Sequence, residues 1–385
     1  MRVMLVAPYF PPEVTGSSNF VSDLAISLTE LGHTVCVVTA TESRSHELFE
    51  VISLKARRIR PGKIAFDYSI PTILTLANKR ALEDLFDTFQ PDIVSSHGQI
   101  FDITLLANHL ARKRKIPTVM TVHSAIWHDK PILNAILTIG DTLISNVFLK
   151  RTCTGWIGVD DRTVKHVKKR YSKKVVTIPI CIRRGVFSDG NAQLARDKYG
   201  INGAPIIASI GHVVPVRNRM ALVEALPRLV ERFPNLEVVI VGRVADESFA
   251  NRAEELGVTK HLRVIGAVPP SDISHILAAA NLEVHDIQGF SLGIGSLEPI
   301  DAGIPIIAYV RNNNLDGADI HEICSDGFID SNDAKTLSSA ISEVLADSDL
   351  RQKVVSGQKR LLEQVYYSDV VANRYVQEFE KFIKN

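Results

Sequence analysis

The chain has 385 residues, of which 45% are hydrophobic and 23% are charged, a mix typical of a folded globular protein long enough for two domains. Its 44 Lys and Arg residues nearly balance its 43 Asp and Glu residues, so the formal net charge is +1. This balance argues against a dedicated nucleic-acid binder, which carries a clear basic excess, and against a disordered charged protein.

The first half of the chain alternates short β-branched runs with segments of helical periodicity. An apolar stripe from Phe20 to Leu31, at spacings of three and four, predicts an amphipathic helix that ends at Gly32. Strands are predicted over Val3–Ala7, Thr34–Thr39, Asp92–Ser96, Thr118–Val122, Trp156–Val159 and Val175–Ile178. This alternation predicts a parallel sheet with crossover helices.

The same pattern restarts after Phe187–Pro205, a polar segment with Gly and Pro that is predicted to be a linker. Strands are then predicted over Ile206–Ile210, Glu237–Val241, Leu262–Ile265, Leu282–His285 and Ile304–Tyr309. The fold class is therefore α/β, with two doubly wound domains. Ligands of such domains bind at the carboxyl ends of the strands, which predicts a cleft there.

The segment Gln288–Gly303 follows a predicted strand and is rich in glycine. Pro299 is predicted to lie in the first turn of a short helix, because a proline has no N–H to donate within a helix. This places the amides of Gly293, Ile294, Gly295 and Ser296 at the helix start, where they favour a phosphate. Glu298 could then bind two ribose hydroxyls. The alternative is a tight turn whose glycines only serve packing.

A second candidate segment, Gly211–Leu226, begins directly after the first strand of the second half. It places His212, Arg217 and Arg219 close to a strand end, where a departing diphosphate would need cations. The alternative is a solvated loop with two ordinary surface arginines.

Three features of the first half fall at the same carboxyl edge of its predicted sheet. Pro11–Ser18 is a loop between the first strand and the first helix, while His97 and His123 each end a strand. His97 and His123, with the adjacent Ser124, are therefore candidate site residues facing a cleft. The alternative is that the histidines are structural.

Together these segments resemble the GT4 family of retaining glycosyltransferases, nearly from end to end. The segments that carry the resemblance are Met4–Val21 with its glycine loop at Gly16, Gly211–Leu226, the segment ending at Glu298, Gly303–Ala308 and Tyr366–Phe382. His212 stands where the family has an Arg that holds the donor diphosphate, and Arg217 stands where it has a Lys. Thr15 replaces the first glycine of the family's usual Gly-Gly pair.

The chain departs from the family pattern at two other places. Eight residues before Glu298, Phe290 stands where the family has a second Glu, so Asp286 or Gln288 is expected to take that role. Ile180-Cys181 replaces the family's Asn-Gly before the linker.

The resemblance implies a GT-B fold, in which two Rossmann-like domains face each other across a cleft. Residues 1–187 would form the acceptor-side domain, and a returning C-terminal helix of about residues 366–385 would pack on it. Residues 203–365 would form the donor-binding domain.

The resemblance also implies a hexosyltransferase. It would move a sugar from a UDP- or GDP-sugar to a glycan, lipid-linked or small-molecule acceptor with retention, and without metal or cofactor. The expected catalytic residues are His123, Arg217 and His212, and those on the acceptor side are His97 and Ser124. The expected donor-binding residues are Gly16, Gly211, Gly293, Ile294, Gly295, Ser296, Glu298, Asp286 and Gln288.

An Asp-x-Asp motif at a strand end would instead indicate a metal-dependent transferase. The chain has one such motif, Asp347-Ser348-Asp349, and it precedes a helical run. We therefore expect Asp347 to be a helix N-cap.

Three other functions remain open. The absence of a Glu at Phe290 fits a catalytically reduced, nucleotide-sugar-binding partner subunit. A nucleotide-sugar epimerase could use the same fold. A nicotinamide oxidoreductase has weaker support, since Gly293-Ile294-Gly295 completes no GxGxxG motif.

The near-neutral charge conceals an asymmetry between the halves. Residues 1–200 carry +9 and residues 201–385 carry −8. The basic residues of the first half cluster at 55–63, 112–115 and 165–174. Either these are solvated helix faces and loops, or the acceptor-side domain contacts anionic lipid or an anionic acceptor.

The expected location is cytoplasmic, with peripheral contact at the inner face of the cell membrane. Four scattered cysteines without a CxxC pair indicate reduced structural thiols. The most apolar stretch, Pro131–Leu149, contains Asn134, Asp141 and Asn146, so we expect it to be a poor membrane span.

Overall fold

The computed structural model describes residues 1–13, 15–59, 69–128, 130–214, 219–284, 292–310, 314–315, 318–324 and 326–384. The chain divides into two compact units, Met1–Cys181 with Ser368–Asn385, and Ile182–Tyr367. The helices are α1 (Gly16–Glu30), α2 (Leu76–Phe89), α3 (Asp102–Lys113), α4 (Pro131–Ile144), α5 (Lys150–Thr152), α6 (Asp161–Arg170), α7 (Ala192–Tyr199), α8 (Arg219–Arg232), α9 (Ser248–Glu255), α10 (Ser271–Ala279), α11 (Ile294–Asp301), α12 (Ile320–Ile323), α13 (Ala334–Ala346), α14 (Ser348–Leu361) and α15 (Ser368–Ile383). The strands are β1 (Arg2–Ala7), β2 (Thr34–Thr39), β3 (Glu50–Ser53), β4 (Arg57–Ile59), β5 (Ile70–Thr72), β6 (Ile93–His97), β7 (Thr118–Val122), β8 (Gly155–Gly158), β9 (Val176–Thr177), β10 (Ile206–Ile210), β11 (Glu237–Val241), β12 (Leu262–Gly266), β13 (Leu282–Glu283), β14 (Ala308–Tyr309), β15 (Asn314–Leu315), β16 (Ala318–Asp319) and β17 (Phe328–Ile329).

The first unit is built on a seven-stranded parallel sheet in the order β3-β2-β1-β6-β7-β8-β9. The central strands are buried on both faces, as their continuous apolar runs predict. The strand order reverses between β1 and β6, which is where the connections part and a ligand crevice forms in folds of this kind. The loops after β1 and β6 therefore lie at the crevice position of this sheet.

The C-terminal helix α15 packs on the first unit, as predicted. Ser368 at its start accepts a hydrogen bond from the Ser27 hydroxyl of α1 at 2.8 Å. Tyr375 is fully buried, and its hydroxyl lies 2.9 Å from Thr121 Oγ1 on β7. The helix begins at Ser368 rather than 366, because Tyr366 belongs to the second unit, where its carbonyl accepts from the Ile182 amide.

The second unit contains a four-stranded parallel sheet in the order β12-β11-β10-β13. An additional parallel bridge joins Glu283 of β13 to Ile306. The strand order reverses between β10 and β13, so Gly211–His212, directly after β10, lie at the second crevice position.

The predicted linker Phe187–Pro205 is not a linker, because it contains α7 and packs within the second unit. The structural boundary falls at Cys181, earlier than the predicted end of the first domain at 187. Asp301 at the end of α11 accounts for the difference. Its carboxylate accepts hydrogen bonds from the amides of Gly185 at 2.9 Å and Phe187 at 3.1 Å, which holds residues 182–187 to the second unit.

The apolar stretch that was expected to be a poor membrane span forms α4, a π-helical turn (Ser145–Leu149) and α5 without a break. This helical segment, Pro131–Thr152, is long and apolar enough to cross a membrane by length and composition alone. Only 17% of its 18-residue apolar window is buried, whereas the core helix of a globular protein would be mostly buried.

All four cysteines are free, as predicted. Burial raises the pKa of Cys36 and Cys153 to about 12 and that of Cys324 to about 11, so these thiols stay protonated at neutral pH. Cys181 packs in the core of the first unit, where burial also raises its pKa. The cysteines therefore behave as small apolar residues.

Candidate functional site

The loop after β10 is held by close backbone packing against the loop after β11. Gly211 donates to Val241 O at 2.8 Å, and Val213 donates to Arg243 O at 3.0 Å. Gly242 has φ +136°, and a Cβ at this position would lie 2.2 Å from Gly211 O. Only glycine fits here, and its absence of a side chain lets the two loops meet.

Two basic side chains accompany this loop. His212 is exposed at the strand end, where the sequence placed it. Arg219, the first residue of α8, is buried, and its Nη2 donates to Gly211 O at 3.4 Å. The alternative interpretation of Arg219 as an ordinary surface arginine was therefore wrong.

Helix α11 begins at Ile294, with Gly293 as its N-cap. The Ser296 amide bonds to Gly293 O at 2.9 Å, so it is engaged within the helix and is not available as the sequence predicted. The amides of Ile294 and Gly295 lie in the first turn, where no intrahelical carbonyl reaches them. The amides of Ile294 and Gly295 therefore lie at a helix N-terminus, a position that favours an anion.

Pro299 does not lie in the first turn of α11. It is the sixth helical residue, because the helix begins one residue earlier than predicted and Pro299 is accommodated inside it. Its missing N–H removes only the hydrogen bond to Gly295 O. Glu298 accordingly lies in the second turn.

Glu298 is partly exposed and has a fully buried carboxyl neighbour, Glu283 at the end of β13. Burial, with a further contribution from the charge of Glu283, raises the pKa of Glu298 from its ordinary 4.5 to about 8. Glu283 Oε1 accepts from the Ile210 amide at 3.3 Å, which ties this carboxyl to the end of β10. Glu298 therefore carries a proton at neutral pH in the free protein.

The start of α1 differs from that of α11. Thr15 is its N-cap, and Thr15 Oγ1 accepts from the Ser18 amide at 3.0 Å, while Ser18 Oγ accepts from the Thr15 amide at 2.7 Å. This reciprocal capping box uses two of the donors at the helix start. Gly16 is the first helical residue and is exposed at the end of the β1 loop, where the sequence placed it.

His97 and His123 are brought together at the carboxyl edge of the first sheet. His97 Nδ1 lies 3.1 Å from His123 Nε2, and Phe20 of α1 packs against both rings. Burial lowers the pKa of His123 to about 4, and burial with the neighbouring His123 lowers the pKa of His97. Both imidazoles are therefore neutral at pH 7, so one ring nitrogen of this contact donates and the other accepts.

Ser124 is exposed in the loop after β7, and its position is fixed through its backbone. Gln99 is buried, and its side-chain amide donates to Ser124 O at 2.9 Å. Gly98 precedes Gln99 with φ +93° and makes the turn after β6. The loops after β6 and β7 are therefore joined on the side of the histidine pair.

Sequence reasoning missed Glu283 and Gln99. A signal existed for Glu283, because a carboxylate within the short run Leu282–Val284 is unusual for a strand buried on both faces. Gln99 gave no signal, since its role depends on a backbone carbonyl of another loop.

Four positions that the sequence singled out lie outside the described residues: Arg217, Asp286, Gln288 and Phe290. Arg60 and Lys63 of the first basic cluster also lie outside them. Asp347 is described, and it is the N-cap of α14, since its Oδ1 accepts from the amides of Asp349 at 2.9 Å and Leu350 at 3.0 Å. The prediction that this Asp-x-Asp is a cap is confirmed.

Comparisons with known proteins agree with this architecture. Residues 191–360 match the family Glycosyl transferases group 1, and residues 14–183 match Glycosyltransferase Family 4. A phosphatidyl-myo-inositol mannosyltransferase of Mycolicibacterium smegmatis is 25% identical over 96% of this chain and 90% of its own length. An alpha-monoglucosyldiacylglycerol synthase of Streptococcus pneumoniae is 22% identical over 80% of this chain and 71% of its own length.

The fold also has solved counterparts. The crystal structure of the Anabaena protein Alr3699/HepE in complex with UDP superposes with a TM-score of 0.71, at 12% identity, over 99% of this chain and all of that one. The two α/β units with parallel sheets thus form a GT-B fold. The two family matches together span nearly the whole chain, which belongs to the GT4-like group 1 glycosyltransferases, enzymes that use nucleotide sugars.

Proposed function

We propose that the protein transfers a hexose from a UDP- or GDP-sugar to a lipid-linked or glycan acceptor, with retention of anomeric configuration and without a metal ion. The single observation that best supports donor binding is the start of α11. There Gly293 is the N-cap, and the amides of Ile294 and Gly295 lie in the first turn. A diphosphate oxygen is the natural occupant of such a position.

Glu298 extends the donor site from phosphate to ribose. A carboxylate can accept hydrogen bonds from two adjacent hydroxyls, and Glu298 lies one turn beyond the Ile294 and Gly295 amides. Because the pKa of Glu298 is raised to about 8, binding the nucleotide in this way draws the carboxyl toward its ionised form and releases a proton near neutral pH.

The charge that develops on the leaving diphosphate needs cations. His212 is exposed at the strand end beside Gly211, and in the sequence Arg217 follows in the same segment. Charge-assisted contacts contribute about 1.5–3 kcal/mol each. We propose that these two side chains, with the α11 amides, take the place of a metal ion.

The first unit supplies the groups for the acceptor side in this proposal. His123 is neutral and hydrogen-bonded through Nε2 to His97, which leaves His123 Nδ1 for a sugar hydroxyl. A neutral imidazole can donate or accept there without placing a positive charge beside a developing oxocarbenium ion. The names of two relatives, a phosphatidyl-myo-inositol mannosyltransferase and an alpha-monoglucosyldiacylglycerol synthase, favour a lipid-linked acceptor.

A lipid-linked acceptor would place the protein at the cytoplasmic face of the cell membrane. The basic excess of residues 1–200 supports this location, because cations near an anionic leaflet contribute about 1 kcal/mol each.

The test begins with calorimetric titration of UDP-, GDP- and ADP-sugars into the whole protein, in two buffers of different ionisation enthalpy. We expect one class to bind with proton release, and Glu298→Gln to weaken binding at least about tenfold and abolish the proton release. The matched control is Glu322→Gln, a carboxyl of the same unit on α12, which should leave binding unchanged. Unchanged binding by Glu298→Gln would contradict the ribose role.

The best-binding donor is then incubated with lipid and glycan acceptors, with and without a chelator, and nucleoside diphosphate release is measured. Release that survives chelation supports the metal-independent transfer. Donor binding without turnover would favour the partner subunit, and interconversion of the donor sugar without acceptor would favour the epimerase.

A further inference from the structure

Helix α4 shows an inverted polarity. Its buried edge carries Asp141, followed by Ser145 in the next π-helical turn, both nearly inaccessible to solvent. Its exposed residues other than Thr142 are apolar. A surface helix of a globular protein normally buries its apolar stripe against the core. Burial of apolar side chains within the first unit therefore does not explain the orientation of α4.

A buried polar cluster holds α4 in this orientation. Asp141 accepts a hydrogen bond from the Tyr171 hydroxyl and lies 3.4 Å from both His166 and Arg170. Arg170 also donates to Thr138 O at 3.2 Å. Three side chains of α6 and the residue after it, His166, Arg170 and Tyr171, thus fix the polar edge of α4, and removing one of them would leave a buried charge uncompensated.

The exposed edge forms a continuous apolar stripe, which we call the α4 stripe. Its exposed side-chain fractions include 77% for Ile132, 60% for Ile139 and 59% for Leu143. The other exposed members are Ile136, Val147 and Phe148, and Trp127 just before the helix is also exposed. The spacing of three and four residues keeps these side chains in one row.

Cations flank the helical segment of the α4 stripe at both of its ends. Lys130 precedes the helix, and Lys150 and Arg151 end it. Lys168 and Lys169 are exposed in the last turn of α6, the turn whose Arg170 contacts α4. Within Pro131–Thr152 the one acid is Asp141, and it is buried.

We propose that the α4 stripe docks the first unit onto an anionic phospholipid surface, with the helix lying in the plane of the interface. Apolar residues enter the headgroup–acyl boundary while the flanking cations meet lipid phosphates, the arrangement of an interfacial amphipathic helix. This inference deepens the proposed function, on which it rests for a lipid-linked acceptor.

The cations near the α4 stripe favour an anionic lipid surface over a second copy of the chain. A second copy of the chain docking through the same stripe would bring the cations of both copies together, which is unfavourable. A helix that spanned the bilayer would have to abandon the contacts of Asp141 with Tyr171 and Arg170 and carry a charge into the hydrocarbon.

The experiment is flotation of the full chain with vesicles of neutral phosphatidylcholine and with vesicles containing about one third phosphatidylglycerol. We expect binding to the anionic vesicles that weakens with salt. Ile136→Ser with Ile139→Ser should lower the partition coefficient at least about tenfold, and Lys168→Gln with Lys169→Gln about fivefold for each cation.

The matched controls lie in the second unit. Leu194→Ser removes an equally exposed apolar side chain from α7, and Lys260→Gln with Lys335→Gln removes two exposed cations. Both should leave partitioning unchanged, and thermal unfolding should show that every variant is folded. Equal partitioning of the stripe variant and the wild-type protein would overturn the proposal, as would a dimer in light scattering that the stripe variant disperses.

Donor titration keeps this inference separate from the proposed function. A protein that binds a nucleotide sugar but no vesicles contradicts the docking surface alone. A protein that binds vesicles but no nucleotide sugar contradicts the transferase alone. Retention in the membrane after an alkaline carbonate wash would show a spanning helix and overturn the interfacial orientation.

Discussion

The carboxyl edges of the two sheets each carry a pair of like ionisable groups, His97 with His123 in the first unit and Glu283 with Glu298 in the second. Burial acts on both pairs, but with opposite consequences for pH. It lowers the pKa of His123 to about 4 and raises that of Glu298 to about 8. At neutral pH the histidine pair is therefore fixed in its uncharged form, whereas Glu298 is close to its titration point.

In the proposed function, this difference matches two kinds of ligand. A neutral imidazole pair presents hydrogen-bonding atoms without a net charge, which suits sugar hydroxyls. A carboxyl near its titration point can change its protonation when a nucleotide arrives, so its charge is coupled to binding. The histidine pair of the first unit is thus neutral at pH 7 whether or not a ligand is bound. The charge of Glu298 in the second unit would depend on its ligand.

The two edges also depend on glycines of different kinds, which predicts a large loss of stability on substitution. A Cβ at Gly242 would lie 2.2 Å from the backbone oxygen of Gly211, while a Cβ at Gly98 would lie 2.9 Å from the Phe101 ring. Both residues have positive φ, but a ring can move and a backbone carbonyl in a fixed loop cannot. We expect Gly242→Ala to lower the free energy of unfolding by about 3 kcal/mol or more.

Gly98→Ala should cost less, about 1–2 kcal/mol. The control is Gly257→Ala, which has φ +68° and open space around its Cβ, with an expected loss of about 1 kcal/mol. Urea unfolding of the three variants measures the order. A Gly98→Ala loss equal to that of Gly242→Ala would show that the first edge is as rigid as the second.

The pH dependence of stability tests the carboxyl pair. Between pH 4.5 and about 8 the folded protein keeps a proton on Glu298 that the unfolded chain has released, so stability falls as pH rises through this window. The slope from this group is at most about 1.4 kcal/mol per pH unit. Glu298→Gln should remove it, so the variant gains stability over the wild-type protein at pH 8.5 and gains none at pH 4.5.

The histidine pair should give a slope of the opposite sign. Between pH 6.5 and about 4, His123 is protonated in the unfolded chain and neutral in the folded protein. The free energy of unfolding therefore falls as pH falls through this window. His123→Gln should make the acid limb shallower, with His97 still contributing, and leave the alkaline limb intact. Chemical unfolding at pH 4.5, 6.5 and 8.5 measures both limbs, and each variant is the control for the other.

The sequence predicted the parallel α/β units well, because buried parallel strands such as β1, β7 and β10 are continuous apolar runs between turn residues. The sequence-based prediction was wrong where tertiary packing, rather than the local residue pattern, determines the structure. Helix α7 has one buried residue, Ala195, so its sequence resembles a linker. The exposure of the α4 stripe depends on the Asp141 cluster, whose partners are up to 30 residues away in the chain.

The site shows the same division between local and distant causes. The glycines of α11 and the histidines at strand ends were recognisable, because strand ends and helix starts are read from local pattern. The raised pKa of Glu298 was not predictable, since it depends on burial and on Glu283 from another strand. The hydrogen bond that the Ser296 amide makes to Gly293 O at the start of its own helix was not predictable either.

The helix starts of α1 and α11 are capped differently, and this difference predicts the smallest change in stability. The same variant also tests the proposed donor site most directly. Thr15 caps α1 through its side chain, whereas Gly293 at the start of α11 has no side chain to donate or accept. Gly293 has φ −81° and ψ 167°, an extended conformation that serine adopts without strain. Gly293→Ser should therefore create a cap and stabilise the protein by about 1 kcal/mol.

The same hydroxyl would take an amide of the first turn and compete with the donor diphosphate. We expect Gly293→Ser to weaken nucleotide-sugar binding about threefold to tenfold while raising stability. Thr15→Ala is the reciprocal change, and it should cost about 1 kcal/mol of stability without weakening donor binding. Calorimetry and urea unfolding on both variants measure the two quantities. A Gly293→Ser protein that is more stable and binds donor as tightly as before would remove the α11 amides from the phosphate site, because capping and binding would then use different donors.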